Sequence, residues 1–136
     1  MSKDFAPYEE SFELQGLDFD EECLGNYRYD PMTYKIGSDN NIPTLRLGEG
    51  FHQGFTPKSI PAPLYQQAFR FFRERYGLFS AVNVDQTMEP KFCYSISRYA
   101  EDSDWAILVF NSDLYYTYEE AELALLRKLI QEVKNK

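Results

Sequence analysis

Residues 64–134 constrain the fold most: two stretches of helical periodicity flank three strand-like stretches. In the first, Tyr65, Ala68, Phe69, Phe72 and Tyr76 recur at i, i+3, i+4, i+7 and i+11 and form one apolar stripe. Gln66, Gln67, Arg70, Arg73 and Glu74 lie opposite, so an amphipathic helix is expected over residues 64–76, stopped by Gly77. Phe71 lies off the stripe and needs a further packing partner, either another element or a second subunit. Strands are expected over 78–84, 92–99 and 105–110. On the middle one, Phe92, Tyr94, Ile96 and Arg98 point one way and Cys93, Ser95, Ser97 and Tyr99 the other. The connections at 85–90 and 100–104 are too short for a crossover, so the three strands form an antiparallel meander. Thr117-Tyr118-Glu119-Glu120 is a capping box that opens a last helix running to about residue 134. Ala121, Leu125, Leu126, Leu129 and Val133 share its apolar face, and Lys128, Lys134 and Lys136 sit near its negative end. Glu122 falls inside the apolar sector, where the free amides of the first turn favour a structural role for it.

The first half is less regular. A short helix is expected over residues 7–15, with Pro7 in its first turn, Glu9 and Glu10 at its positive end and Gly16 as its stop. Residues 18–22 read as an acidic, solvated connector. Residues 24–37 read as an irregular hairpin: Tyr27 and Tyr29 alternate with Arg28, Asp30-Pro31 turns the chain, and 33–36 return it to Gly37. Residues 39–41 read as loop and 44–47 as a further short strand. Residues 48–63 are the longest non-periodic stretch, with Phe51, His52 and Phe55 set among Gly48, Gly50 and Gly54. Such a stretch is a binding loop or a mobile surface loop. The chain is therefore expected to be a single α+β domain over residues 1–136. An antiparallel β-meander packs against two helices, with a short N-terminal helix and an irregular hairpin before it.

Charge narrows the function classes. The 136 residues carry 22 Asp+Glu against 14 Lys+Arg, a net charge of −8. That field repels phosphate backbones and anionic headgroups, so neither long nucleic acid nor membrane is expected as a partner. The longest clean apolar run, residues 106–110, is far short of the roughly 18–20 residues a bilayer demands. No secretory signal is visible at the N-terminus, and the two cysteines, Cys23 and Cys93, have no CxxC spacing. Both are expected to be reduced thiols in the cytoplasm. The single histidine, His52, removes His-pair zinc sites, and any nucleophile triad would have to run through it. With no Gly-rich phosphate loop and no EF-hand spacing, no metal, cofactor or catalytic set is expected, and an enzyme is the least favoured reading.

The charge is also patterned. Residues 1–30 are net −7, residues 31–100 net +3 and residues 101–136 net −4. The basic middle holds five arginines, the side chain suited to bidentate capture of phosphate or carboxylate. Arg70 and Arg73 lie close together on one helix face. Arg46, Arg70, Arg73 and Arg98 are the candidate anion ligands, with Tyr65 and Trp105 as candidate stacking rings. A solvated face, or salt bridges to the acidic ends, is the competing reading of the same arginines.

Three blocks carry a resemblance. They are residues 4–22, with Asp4-Phe5-Ala6-Pro7-Tyr8-Glu9 and Gly16-Leu17-Asp18-Phe19-Asp20-Glu21; residues 62–77, with Ala62-Pro63-Leu64-Tyr65-Gln66-Gln67-Ala68-Phe69-Arg70-Phe71-Phe72-Arg73-Glu74; and residues 116–126, with Tyr116-Thr117-Tyr118-Glu119-Glu120-Ala121. In these blocks the chain resembles a family of small proteins encoded by phages and mobile elements of Bacteroidetes-type bacteria, in which Trp more often stands where this chain has Phe71. The resemblance implies a phage-type accessory protein, of a kind that commonly acts by binding against host defence. One such class sequesters nucleotide signals without cleaving them. The expected function is therefore non-enzymatic binding of a small, nucleotide-like anion. The alternative is a protein–protein inhibitor or adaptor that engages a host protein through its acidic ends. The Tyr content and the stray Phe71 suggest a homodimer.

Overall fold

The computed structural model describes residues 2–28, 43–51, 59–86, 90–99 and 106–135. The chain divides into two compact units, Met1–Leu64 and Tyr65–Lys136.

The first unit opens with a 3-10 turn, Ser2–Asp4, followed by α1, Tyr8–Gly16. Pro7 is the N-cap residue, and its carbonyl accepts from the Ser11 amide at 2.8 Å. The stop of α1 differs from the expected glycine. Gly16 is the last helical residue, and the left-handed turn falls on Asp18, at φ 65°. Its amide donates to the Gln15 carbonyl and that of Phe19 to the Leu14 carbonyl, both at 3.1 Å. This is a Schellman ending, and its apolar clasp is the buried pair Leu14 and Phe19. Phe19 thus anchors the acidic stretch that contains it.

Strand β1, Cys23–Arg28, is central in a three-stranded antiparallel sheet, flanked by β2, Thr44–Phe51, and β3, Ile60–Ala62. The expected partner at 33–36 and the loop at 39–41 lie outside the described residues. β2 outruns the expected 44–47, and both ends of the expected 48–63 loop are strand. The glycines of β2 and the prolines near β3 are tolerated because both are edge strands of this sheet. Between Cys23 and Gly25 the register slips. A Cβ on Gly25 would lie 3.2 Å from the Arg46 carbonyl, from Leu45 Cδ1 and from Phe5 Cε1. Phe5, Tyr27 and Ala62 form the core, packed by Tyr8, Leu45, Ile60 and Leu64. The Tyr27 hydroxyl donates to the Ala6 carbonyl at 2.7 Å, and the Ser11 hydroxyl donates to the same oxygen at 3.1 Å. Burial pushes the Tyr27 phenol up, and the Glu10 carboxylate adds to the shift. The unit closes on itself: Phe5 bridges Leu64, and the Ala6 amide donates to the Pro63 carbonyl at 2.8 Å.

The second unit follows the expected order. Helix α2, Tyr65–Tyr76, ends where Gly77 takes a φ of +67°. Its stripe is buried at Tyr65, Ala68 and Phe72, and Phe71 is buried too, at 5% exposure. Phe71 meets Phe72 and Tyr76 edge-on, and the Arg75 guanidinium lies 5.9 Å from its ring centre. These three neighbours lie on α2 itself, so they name no further packing element for Phe71. Strands β4, Phe79–Gln86, β5, Pro90–Tyr99, and β6, Ala106–Asn111, form the antiparallel meander in that order. Helix α3, Tyr118–Lys134, packs on β4, β5 and α2. The Thr117 half of the expected capping box is formed, with Oγ1 accepting from the Glu120 amide at 3.1 Å. Tyr94 and Ile96 of β5 and Ala121, Leu125, Leu126 and Leu129 of α3 form the core. Glu122 is buried among the same face of α3, at 8% exposure. The fold is α+β, with helices packed against antiparallel sheets.

Candidate functional site

Two hollows open on different faces of α3. The smaller, about 160 Å³, lies between α2, β4 and α3. Gln66, Phe69 and Arg73, at i, i+3 and i+7 on α2, form one wall. Phe79 of β4 and Tyr118 of α3 form others. Arg73 is exposed and makes no ion pair among the described residues. Burial pushes the Tyr118 phenol up, and the Glu122 and Glu119 carboxylates push it further. Tyr118 therefore stays a neutral hydroxyl donor at neutral pH. A guanidinium, an amide and a phenol thus meet around apolar rings, in a space the size of a phosphate, a carboxylate or a single ring.

The wider groove, about 440 Å³, lies within the span of small-molecule sites. One wall is the stripe Glu120, Ala124, Arg127 and Gln131 on α3, and the other is Tyr94 and Tyr115. Its construction depends on an irregularity after β6. The Ser112 amide donates to the Tyr94 carbonyl at 2.9 Å, while its hydroxyl accepts from the Tyr94 amide and donates to the Asp113 carbonyl, each at 2.8 Å. The chain then bulges and rejoins β5, where Tyr115 and Phe92 bridge as an antiparallel pair. This detour sets the Tyr115 ring against Tyr94, at 6.2 Å and 23° between planes. Phe110 stacks on Tyr94 as well, at 5.7 Å and 27°. The Lys128 ammonium lies 4.4 Å from the Phe110 ring centre and pairs with Glu132 at 3.3 Å. Burial, then the Tyr115 phenol and the Asp113 carboxylate, push the Tyr94 phenol up to about 12.

The residues expected to bind a ligand are spread over the chain. Arg46 is exposed on β2, opposite Asn26, in the first unit. Arg70 and Arg73 are exposed on α2, and only Arg73 borders the smaller hollow. Arg98 is exposed near the end of β5, opposite Ile107. Tyr65 is buried at the start of α2, its ring 6.0 Å from that of Phe69. Trp105 and His52 lie outside the described residues. The rings at the small hollow are instead Phe69, Phe79 and Tyr118. The spacing of Gln66 and Phe69 to Arg73 could have shown their common wall, whereas no local signal joins Tyr94 to Tyr115.

Cys23 and Cys93 form no disulfide. Among the described residues, no three His, Cys, Asp or Glu side chains gather as a metal site would require, and no helix is long and apolar enough to cross a membrane. No family model, curated protein or solved structure matches the chain.

Proposed function

We propose that the chain is a non-enzymatic binding protein for a small anionic, nucleotide-like ligand, held by its charged group in the hollow beside Arg73. The observation that carries this reading is a guanidinium without an ion pair among the described residues, set over a hollow with an amide, a phenol and aromatic rings. A charged hydrogen bond of this kind is worth about 1.5–3 kcal/mol. The volume suits one phosphate or carboxylate group, so the rest of a nucleotide would extend outside it. The resemblance to small phage-encoded proteins is consistent with sequestration as the role.

Calorimetric titration with inorganic phosphate and a panel of mono- and dinucleotides tests the reading. One or more of these should bind. Arg73→Ala should weaken that ligand by roughly tenfold to a hundredfold, and Arg73→Lys by less. A wild-type protein that binds nothing in the panel overturns the proposal, as does an Arg73→Ala variant that binds as tightly as wild type. If host proteins are instead retained at low salt and lost at high salt while the panel stays silent, the acidic-adaptor alternative takes its place.

A further inference from the structure

We propose that the outer edge of β4 docks an extended peptide, which adds as a further strand and sends an acidic side chain to Arg73. Among the described residues β4 pairs with β5 alone, so it is an edge strand of the meander. Its ladder with β5 runs from Phe79 to Gln86 without a register shift. It contains no proline and no lysine, and Phe79, Ala81, Asn83 and Val84 are exposed. Edge strands are ordinarily blunted by a bulge, a proline or a lysine, because their unpaired N–H and C=O groups accept another strand. β4 has none of these devices. β6, the opposite edge, does carry one: its ladder with β5 shifts between Ile96 and Ser97. The contrast singles out β4 as the edge left ready for pairing.

The Arg73 hollow opens on this edge. Successive residues of a strand point to opposite faces. Ser80 and Val82 stand opposite the buried Ile96 and Tyr94, whereas Phe79 and Ala81 stand opposite Ser97 and Ser95. All four border the hollow. Residues of both faces border one space only where it reaches the side of the strand, so the hollow meets the backbone edge of β4. A peptide lying there turns every second side chain toward the helices, over a space of about 160 Å³ that holds one carboxylate. Arg73 makes no ion pair among the described residues and selects an acidic side chain. Negative groups gather toward the other end of β4: Asp85 on the strand itself, and Glu119 and Glu122 close to Tyr118, whose ring meets Phe92 opposite Val84. A peptide with one acidic residue near Arg73 and neutral residues beyond it therefore fits this edge. The inference goes beyond the nucleotide reading: it shares the Arg73 hollow and needs no nucleotide.

The test titrates the full chain with a labelled, end-blocked peptide, Thr-Glu-Thr-Val-Thr-Val, and with the same peptide carrying Gln for Glu, read by fluorescence anisotropy. The Glu peptide should bind roughly tenfold more tightly than the Gln peptide, and Arg73→Gln should bring the two to the same affinity. Two further peptides carry N-methyl groups on alternate residues, one on the odd set and one on the even. One of the two should lose binding and the other keep it, because alternate N–H groups of an added strand face β4. Hydrogen exchange at alternate amides of β4 should slow when the Glu peptide is added. A chain that binds neither peptide overturns the proposal. So do equal affinities of the Glu and Gln peptides for wild type, and two methylated peptides that both bind as the parent does. If sedimentation shows a dimer whose β4 amides are already protected without peptide, the edge belongs to a second copy and the proposal falls. A silent nucleotide panel leaves every one of these readouts in place, so failure here is distinguishable from failure of the nucleotide reading.

Discussion

Ser112→Ala is the sharpest probe of how the groove is built. The Ser112 hydroxyl accepts from the Tyr94 amide and donates to the Asp113 carbonyl, each at 2.8 Å. Alanine removes both bonds. The Asp113 carbonyl is exposed and turns to water at little cost, while the Tyr94 amide sits in a partly buried strand beneath the ring stack. An amide left without a partner costs about 1–3 kcal/mol, and partial access to water places this one near the lower half of that range. The backbone bond from the Ser112 amide to the Tyr94 carbonyl, at 2.9 Å, survives the change. The expected loss is therefore about 1–2 kcal/mol, or roughly 3–10 °C in Tm for a chain of this length. Urea unfolding should show the loss as a lower midpoint at unchanged slope. Ser112→Thr keeps the hydroxyl and should stay within about 0.5 kcal/mol of wild type. The reasoning is refuted if Ser112→Ala unfolds at the wild-type midpoint, or if the threonine variant loses as much as the alanine one.

Three further outcomes follow from local geometry. Asp18→Gly should raise stability by up to about 1 kcal/mol in urea unfolding, because glycine adopts the left-handed conformation without strain, whereas Asp18→Val should lower it by about 1–2 kcal/mol. Gly25→Ala should cost about 1–3 kcal/mol, since the new methyl would lie 3.2 Å from a backbone carbonyl and two apolar side chains; a neutral result would mean that β1 and β2 separate easily there. The fold favours the neutral form of Tyr94, whose phenol is pushed up to about 12. Its contribution is full below about pH 10 and is lost as pH rises from there through 12. Unfolding midpoints measured across that window should fall less steeply in Tyr94→Phe than in wild type, and an equal slope would count against the burial of this phenol.

Much of the second unit was legible because its instructions are local. The stripe from Tyr65 to Tyr76, the glycine at 77 and the threonine cap at 117 each act within a turn or two, and short connections force the meander. Glu122 could be placed among apolar residues from helical phase alone. The first unit resisted for the opposite reason. β1 finds its partners at 44–51 and 60–62, beyond its immediate neighbours, and it does so through a register slip that alternation does not encode. The stop of α1 was misplaced by two residues because the left-handed turn fell on an aspartate although a glycine stood nearby. In the candidate site, Arg73 was legible as a cation on a helix face. The pairing of Tyr94 with Tyr115 was not, since it depends on the hydroxyl of Ser112 bonding to a backbone amide 18 residues away.

The bridge between Phe5 and Leu64 has a topological consequence. The path through the first unit leaves and returns at one point, with Ala6 and Pro63 joined by a backbone bond of 2.8 Å. A segment whose two ends touch behaves as a cassette. Its entry and exit could be fused by a link of a few residues and new termini cut elsewhere, with little change in loop-closure entropy. The same geometry lets it sit as an insert within another chain without prising apart the host's flanking residues. A circular permutant of residues 5–64, cut between β2 and β3, should keep the Tyr27–Ala6 hydrogen bond and the core around Phe5, which is what separates a closed loop of structure from a mere leader to the helix that follows it.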